Sequence, residues 1–171
     1  MANATARLLA YMDKHHLVLA TAESCTTGLI ASQLADCPGA GKCLDRAFVT
    51  YSVGAKKQML GVSQQTLDEN NLTSEAVACE MAVGALDASE AAVAISNTGV
   101  VDDSDPAIPA GTQCFGWAFK LEDGRTVCFT ETKQFTGERR AIREASAAYA
   151  LSRLMTYHDR ASTGQQNEGT I

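Results

Sequence analysis

The spacing of apolar positions changes along the chain, and each change marks an element. Leu8, Leu9 and Met12 share one stripe of the segment 4–15 and predict an amphipathic helix. Residues 17–21 (LVLAT) form a short continuous apolar run of the kind a buried strand carries. A helix over about 27–35 follows, and Cys37-Pro38-Gly39 breaks it. Residues 47–52 (AFVTYS) predict a second strand, and 55–60 a short helix stopped by Gly61. The segment 73–86 predicts a helix capped by Thr73 or Ser74, with Val77, Met81 and Ala85 on one face. Residues 91–96 (AAVAIS) are a third apolar run. Beyond a loop holding Pro106 and Pro109, the segments 113–121 and 126–132 predict a β-hairpin turning at Glu122-Asp123-Gly124-Arg125. A long helix over about 137–157 comes last.

Strands that alternate with helices and are apolar throughout predict an α/β fold whose sheet is covered on both faces. The hairpin adds antiparallel pairing, so the sheet is mixed and mostly parallel. The segment 1–160 is expected to be one domain, and the polar segment 161–171 a frayed tail. In such sheets ligands collect beyond the carboxyl ends of the strands. Three loops qualify: AESCTTG, YSVGAKK and SNTGVVDD.

The 171 residues carry a net charge of −6, which argues against a nucleic-acid partner because phosphate neutralisation needs a basic face. No apolar run approaches the roughly 20 residues of a membrane span, so no membrane partner is expected. The segment 1–16 lacks the pattern of a signal peptide, and the expected address is the cytoplasm. The six cysteines are then expected to be reduced thiols, mostly core residues. None are paired as C-x-x-C and the histidines lie far from them in sequence, so neither a metal site nor a cofactor is expected.

Within AESCTTG, Glu23, Ser24, Cys25 and Thr26 stand between a strand and a helix. Ser24 beside a helix N-terminus has the makings of a nucleophile with oxyanion donors at hand. The same residues suit a helix cap. Cys25 is either a second nucleophile or packing. Lys56 can serve as a base only if burial or a neighbouring cation lowers its pKa; Tyr51 is otherwise a core aromatic. Arg139, Arg140 and Arg143, opening the last helix, form either an anion site or a solvated face paired with Glu138 and Glu144.

AESCTTG, TYSVGAKKQMLGV, LTSEAVACEMAVGA, SNTGV and FTGERRAIREASAAYAL occur in the order of segments of the CinA C-terminal domain family, which the chain resembles over about residues 8–154. The resemblance implies a three-layer α/β/α sandwich that stands alone and is a homo-oligomer. It also implies a nicotinamide-nucleotide amidohydrolase, which converts nicotinamide mononucleotide to nicotinate mononucleotide and ammonia without metal. Ser24 is then the implied nucleophile, and Tyr51 and Lys56 its activators. Thr26, Thr98 and Gly99 are implied at the substrate and Arg139 at its phosphate, with helix amides holding the oxyanion.

The chain departs from the family at three places. Thr27 stands where the family has glycine, which is costly if that position needs positive φ. Val53 replaces an asparagine. Asp102, Asp103 and Asp105 replace a glycine-rich stretch near the expected phosphate. Two readings follow: a working amidohydrolase, or a paralogue that binds a pyridine nucleotide with little or no turnover.

Overall fold

The computed structural model describes residues 2–164. Its elements in chain order are α1 (Ala2–Lys14), β1 (Leu19–Glu23), α2 (Leu29–Ala35), a 3₁₀ turn (Ala40–Lys42), β2 (Leu44–Val49), α3 (Val53–Leu60), α4 (Gln64–Glu69), α5 (Glu75–Asp87), β3 (Val93–Gly99), β4 (Thr112–Lys120), β5 (Thr126–Gln134) and α6 (Arg139–Ser162). The strand order is β2-β1-β3-β4-β5. β1 pairs parallel with β2 and β3, while β4 is antiparallel to both β3 and β5. Four strands therefore run one way and only β4 runs against them.

The two faces of the sheet carry different side chains, and this sets how closely each helix layer approaches. Leu19, Val93, Ile95, Phe115, Trp117 and Phe119 point to one face, where they pack on α1, α2 and α6. Trp117 Nε1 donates to the Ala150 carbonyl at 2.9 Å and stacks on Tyr157, which fixes α6 to the sheet. The alternate positions Ala20, Ala22, Ala94 and Ala118 are small and face α5 with Val77, Met81, Ala82 and Ala85. Side chains this short let the α5 backbone settle close to the strands. Ser96 Oγ donates to the Ala78 carbonyl at 2.5 Å, and a Cβ on Gly116 would lie 2.7 Å from that oxygen. The result is a three-layer α/β/α sandwich. None of the described helices is long and apolar enough to cross a membrane.

The structure corrects several sequence expectations. β2 is an edge strand three residues earlier than expected, and Asp45, Arg46, Ala47 and Val49 are exposed. Within its apolar run only Phe48 is covered, half-buried against the α5 side of the sheet, and buried Thr50 lies just past the strand end. The Asp45–Arg46 pair charges the open edge, which discourages pairing with another strand. α4 has no sequence expectation behind it; its N-cap Ser63 accepts from Thr66 N. Ser74, not Thr73, caps α5. The last helix runs to Ser162, past the expected boundary at 160, and the rest of the expected tail, 165–171, lies outside the described residues.

α3 reaches the sheet through α5. A Cβ on Gly84 would stand 1.8 Å from the Leu60 carbonyl oxygen, so these backbones touch where α3 ends. Gly84→Ala is expected to cost about 2–3 kcal/mol, because backbone must shift to admit the methyl. Thermal denaturation measures it, and a variant as stable as the parent would show that α3 moves freely.

Candidate active site

β1 is the point where chain connections diverge: α2 leads to β2 on one side, and α3 to α5 cross to β3 on the other. A cavity of about 470 Å³ opens there, beyond the carboxyl ends of β1, β2 and β3. All three loops singled out in the sequence line it.

Glu23 ends β1 fully buried. Its carboxylate accepts from Gly28 N at 2.8 Å, Ile30 N at 3.1 Å, Ala31 N at 3.1 Å and Thr21 Oγ1 at 2.9 Å. The free amides of the α2 N-terminus are thus taken by an internal anion. This corrects the expectation that they hold the oxyanion. They instead fix the turn that carries Ser24.

That turn has two consecutive left-handed residues, Thr27 at φ 46° and Gly28 at φ 93°. A β-branched residue is disfavoured there, so the expected cost at Thr27 is real. Arg143 of α6 offsets it: its guanidinium donates to the carbonyls of Cys25 (2.8 Å) and Thr26 (3.2 Å) and to Thr27 Oγ1. From the β3 side, Asn97 Oδ1 accepts from Thr26 N at 3.1 Å. Asn97 Nδ2 donates to Gln113 Oε1 at 3.0 Å, and Gln113 Nε2 to the Val100 carbonyl at 2.9 Å. Gly99 is required because the Gln113 amide lies 2.4 Å from where a Cβ would be.

Ser24, 8% exposed, meets Lys56, 2% exposed. Lys56 Nζ lies 2.9 Å from Ser24 Oγ, 2.8 Å from the Thr50 carbonyl and 3.3 Å from the Tyr51 carbonyl. Lys56 has no acidic partner among the described residues. Burial without a counter-charge pushes its ammonium down to about 8. Two carbonyls take the two protons of a neutral amine and leave the lone pair for the Ser24 hydroxyl. Cys25 lines the same cavity, but burial raises its thiol, which works against a thiolate nucleophile.

The other expected residues divide. Thr98 and Gly99 line the cavity, and Thr98 Oγ1 donates to the Leu72 carbonyl at 2.9 Å. Thr26 does not line it: the residue is fully buried, and its hydroxyl has no partner among the described residues. Tyr51 is at the rim and 67% exposed; it reaches Lys56 through its carbonyl, and its phenol makes no hydrogen bond to a described residue. Arg139 lines the cavity in an ion pair with Asp102. Arg140 is the solvated member of the trio, paired with Glu144 along α6. Asp105 is tied to Asn71 Nδ2 at 2.7 Å, and Asp103 is exposed and away from the cavity.

Sequence reasoning passes over the Asn97–Gln113 relay and the task of Arg143. The available signal is the presence of Glu23, Asn97 and Gln113 as polar residues inside otherwise apolar strands.

Comparison with known proteins bears on this constellation. Nicotinamide-nucleotide amidohydrolase PncC of Enterobacter agglomerans is 46% identical over 132 residues, covering 76% of this chain and 78% of that protein. The protein of the same name from Escherichia coli K12 is 41% identical over 136 residues, covering 78% and 80%. A crystal structure of a competence-damaged protein (CinA) superfamily protein from Escherichia coli superposes with a TM-score of 0.82. It is 35% identical and covers 91% of this chain and 88% of that one. The family model for the CinA C-terminal domain matches residues 1–158, which include every residue around the Ser24–Lys56 contact, and the chain belongs to that family.

Proposed function

We propose that this protein hydrolyses the carboxamide of nicotinamide mononucleotide, giving nicotinate mononucleotide and ammonia, with Ser24 as nucleophile and Lys56 as its base. The 2.9 Å contact between Ser24 Oγ and a buried lysine without a counter-ion carries this reading. The two curated amidohydrolases among its relatives support the substrate class.

Ser24 Oγ bonds to the carboxamide carbon as its proton passes to Lys56 Nζ, and the carbonyl electrons move onto oxygen. With the α2 amides held by Glu23, the donors left in the turn that carries Ser24 are the N–H groups of Cys25 and Thr27, which we assign to that oxyanion. Neither has a hydrogen-bond partner among the described residues. Collapse breaks the carbon–nitrogen bond, and Lys56 returns its proton to the departing ammonia. Water then attacks the ester, gives a proton to Lys56 and restores Ser24. Thr98 and Gly99 belong to the substrate-binding wall in this reading, and Tyr51 to its rim. Thr26 contributes through the position of its main chain.

Val49, Tyr51, Val53, Met59 and Leu72 are exposed large apolar side chains on β2, α3 and the cavity rim. They support the homo-oligomer expected from the sequence, and the cytoplasmic address remains part of the proposal.

Because the neutral amine is the active form, kcat/KM should rise about tenfold per pH unit below pH 8 and level off above it. Ammonia release from nicotinamide mononucleotide over pH 6–9 tests this. A flat profile would remove Lys56 as the base. Saturable binding with no ammonia at any pH would favour the second reading, in which the acidic loop marks a binding protein without turnover.

A further inference from the structure

Three cationic residues line the active cavity: Lys56, Arg139 and Arg143. Lys56 is bound to Ser24 and two carbonyls, and Arg143 holds the Cys25–Thr27 turn from its carbonyl side. Arg139 is different. It is the first residue of α6, beyond Gly137 (φ 123°) and an N-cap Glu138 that makes no side-chain cap bond. Its side chain is 60% exposed and its partner is a side chain of the loop after β3, that of Asp102, 50% exposed. Arg139 is thus the one cation of the cavity already paired with a side-chain carboxylate of the described residues. The same loop is anchored on both sides: Val100 N is bound to the Thr112 carbonyl, and Asp105 to Asn71. Asp102 is therefore held at the cavity mouth.

We propose that Asp102 is a specificity-determining residue that occupies Arg139 in place of a ligand's anionic group. Resting on the amidohydrolase reading, this makes the phosphate of a nucleotide displace Asp102 before it can pair with Arg139. The phosphate-free nucleoside has nothing to displace. Both substrates present the same carboxamide to Ser24, so Asp102 acts on the ratio of their kcat/KM values rather than on the chemical step.

The test is kcat/KM for nicotinamide mononucleotide and nicotinamide riboside, by ammonia release, in the parent protein and three variants. Asp102→Asn is expected to raise the nucleotide-to-nucleoside ratio about threefold to tenfold. A half-exposed ion pair accounts for up to about fivefold, and removal of a like charge beside the phosphate adds to it. Arg139→Gln is expected to lower the ratio below the parent value. Asp103→Asn, on the same loop but away from the cavity, should leave the ratio within twofold. A ratio unmoved by Asp102→Asn, or moved equally by Asp103→Asn, overturns the proposal while the amidohydrolase reading stands. Absence of ammonia from both substrates with the parent protein overturns that reading, and this proposal with it.

Discussion

Lys56→Met is expected to lower kcat for ammonia release by about 10²–10⁴-fold, the usual contribution of a positioned base. The loss should appear without collapse of the fold. A lysine whose folded pKa is about 8, against an ordinary 10.5, destabilises the protein below pH 8 by about 3 kcal/mol, because folding then buries an ammonium. That penalty fades as pH rises from 8 toward 10.5, where the unfolded chain also loses the proton. Methionine removes the penalty but leaves the Thr50 and Tyr51 carbonyls without their donor, at about 1–3 kcal/mol each if no water reaches them. The two effects oppose each other near neutral pH. At pH 7 the variant should melt close to the parent, yet turn over far more slowly. Ser24→Ala should also abolish turnover, and the double variant should be no worse than either single one, because the pair acts as one unit. Substantial turnover by Lys56→Met would assign the base elsewhere. Tyr51→Phe makes the contrast, since its phenol has no bond to the dyad.

Glu23→Ala is expected to produce the largest loss of stability. The carboxylate satisfies three α2 amides and the Thr21 hydroxyl at a position with no solvent exposure. Alanine leaves three buried donors and the half-buried Gly28 N–H unpaired and opens a cavity. Either effect alone costs about 1–3 kcal/mol or more. A total of about 4 kcal/mol corresponds to roughly 8–16 °C in Tm for a chain of this size. Glu23→Gln keeps one acceptor oxygen but aims an NH₂ at the other donors, so it should fall between the two. Differential scanning calorimetry of the three proteins decides it. A melting temperature unchanged in Glu23→Ala would mean that water replaces the carboxylate without loss.

Much of this arrangement is legible in the sequence, and the reasons are particular. Apolar runs such as AAVAIS mark strands covered on both faces, and Ser74 is a residue with a strong preference for helix starts. Ser24 and Lys56 are legible as candidates because a strand-to-helix turn and a strand-to-helix connection both end at the same edge of the sheet. Their contact is a property of the strand order 2-1-3, which no local pattern contains. Glu23 has the sequence of a cap and is one, but it reaches α2 from the strand, five to eight residues before the amides it binds. The three arginines opening α6 look equivalent along the chain. Their separate roles come from the helix turning them about 100° apart per residue, toward Asp102, toward Glu144 and toward the Cys25–Thr27 turn. The acidic loop is visible as charge, but only the fold shows that Asp102 faces Arg139 and that Asp103 does not face the cavity.

The measurement that bears most directly on the Ser24–Lys56 account is the mass of the active-site peptide from protein quenched in acid during turnover of nicotinamide mononucleotide. The account predicts an increment equal to the substrate less ammonia, located on Ser24. The same increment on Cys25, or on no residue while ammonia is being released, would contradict it.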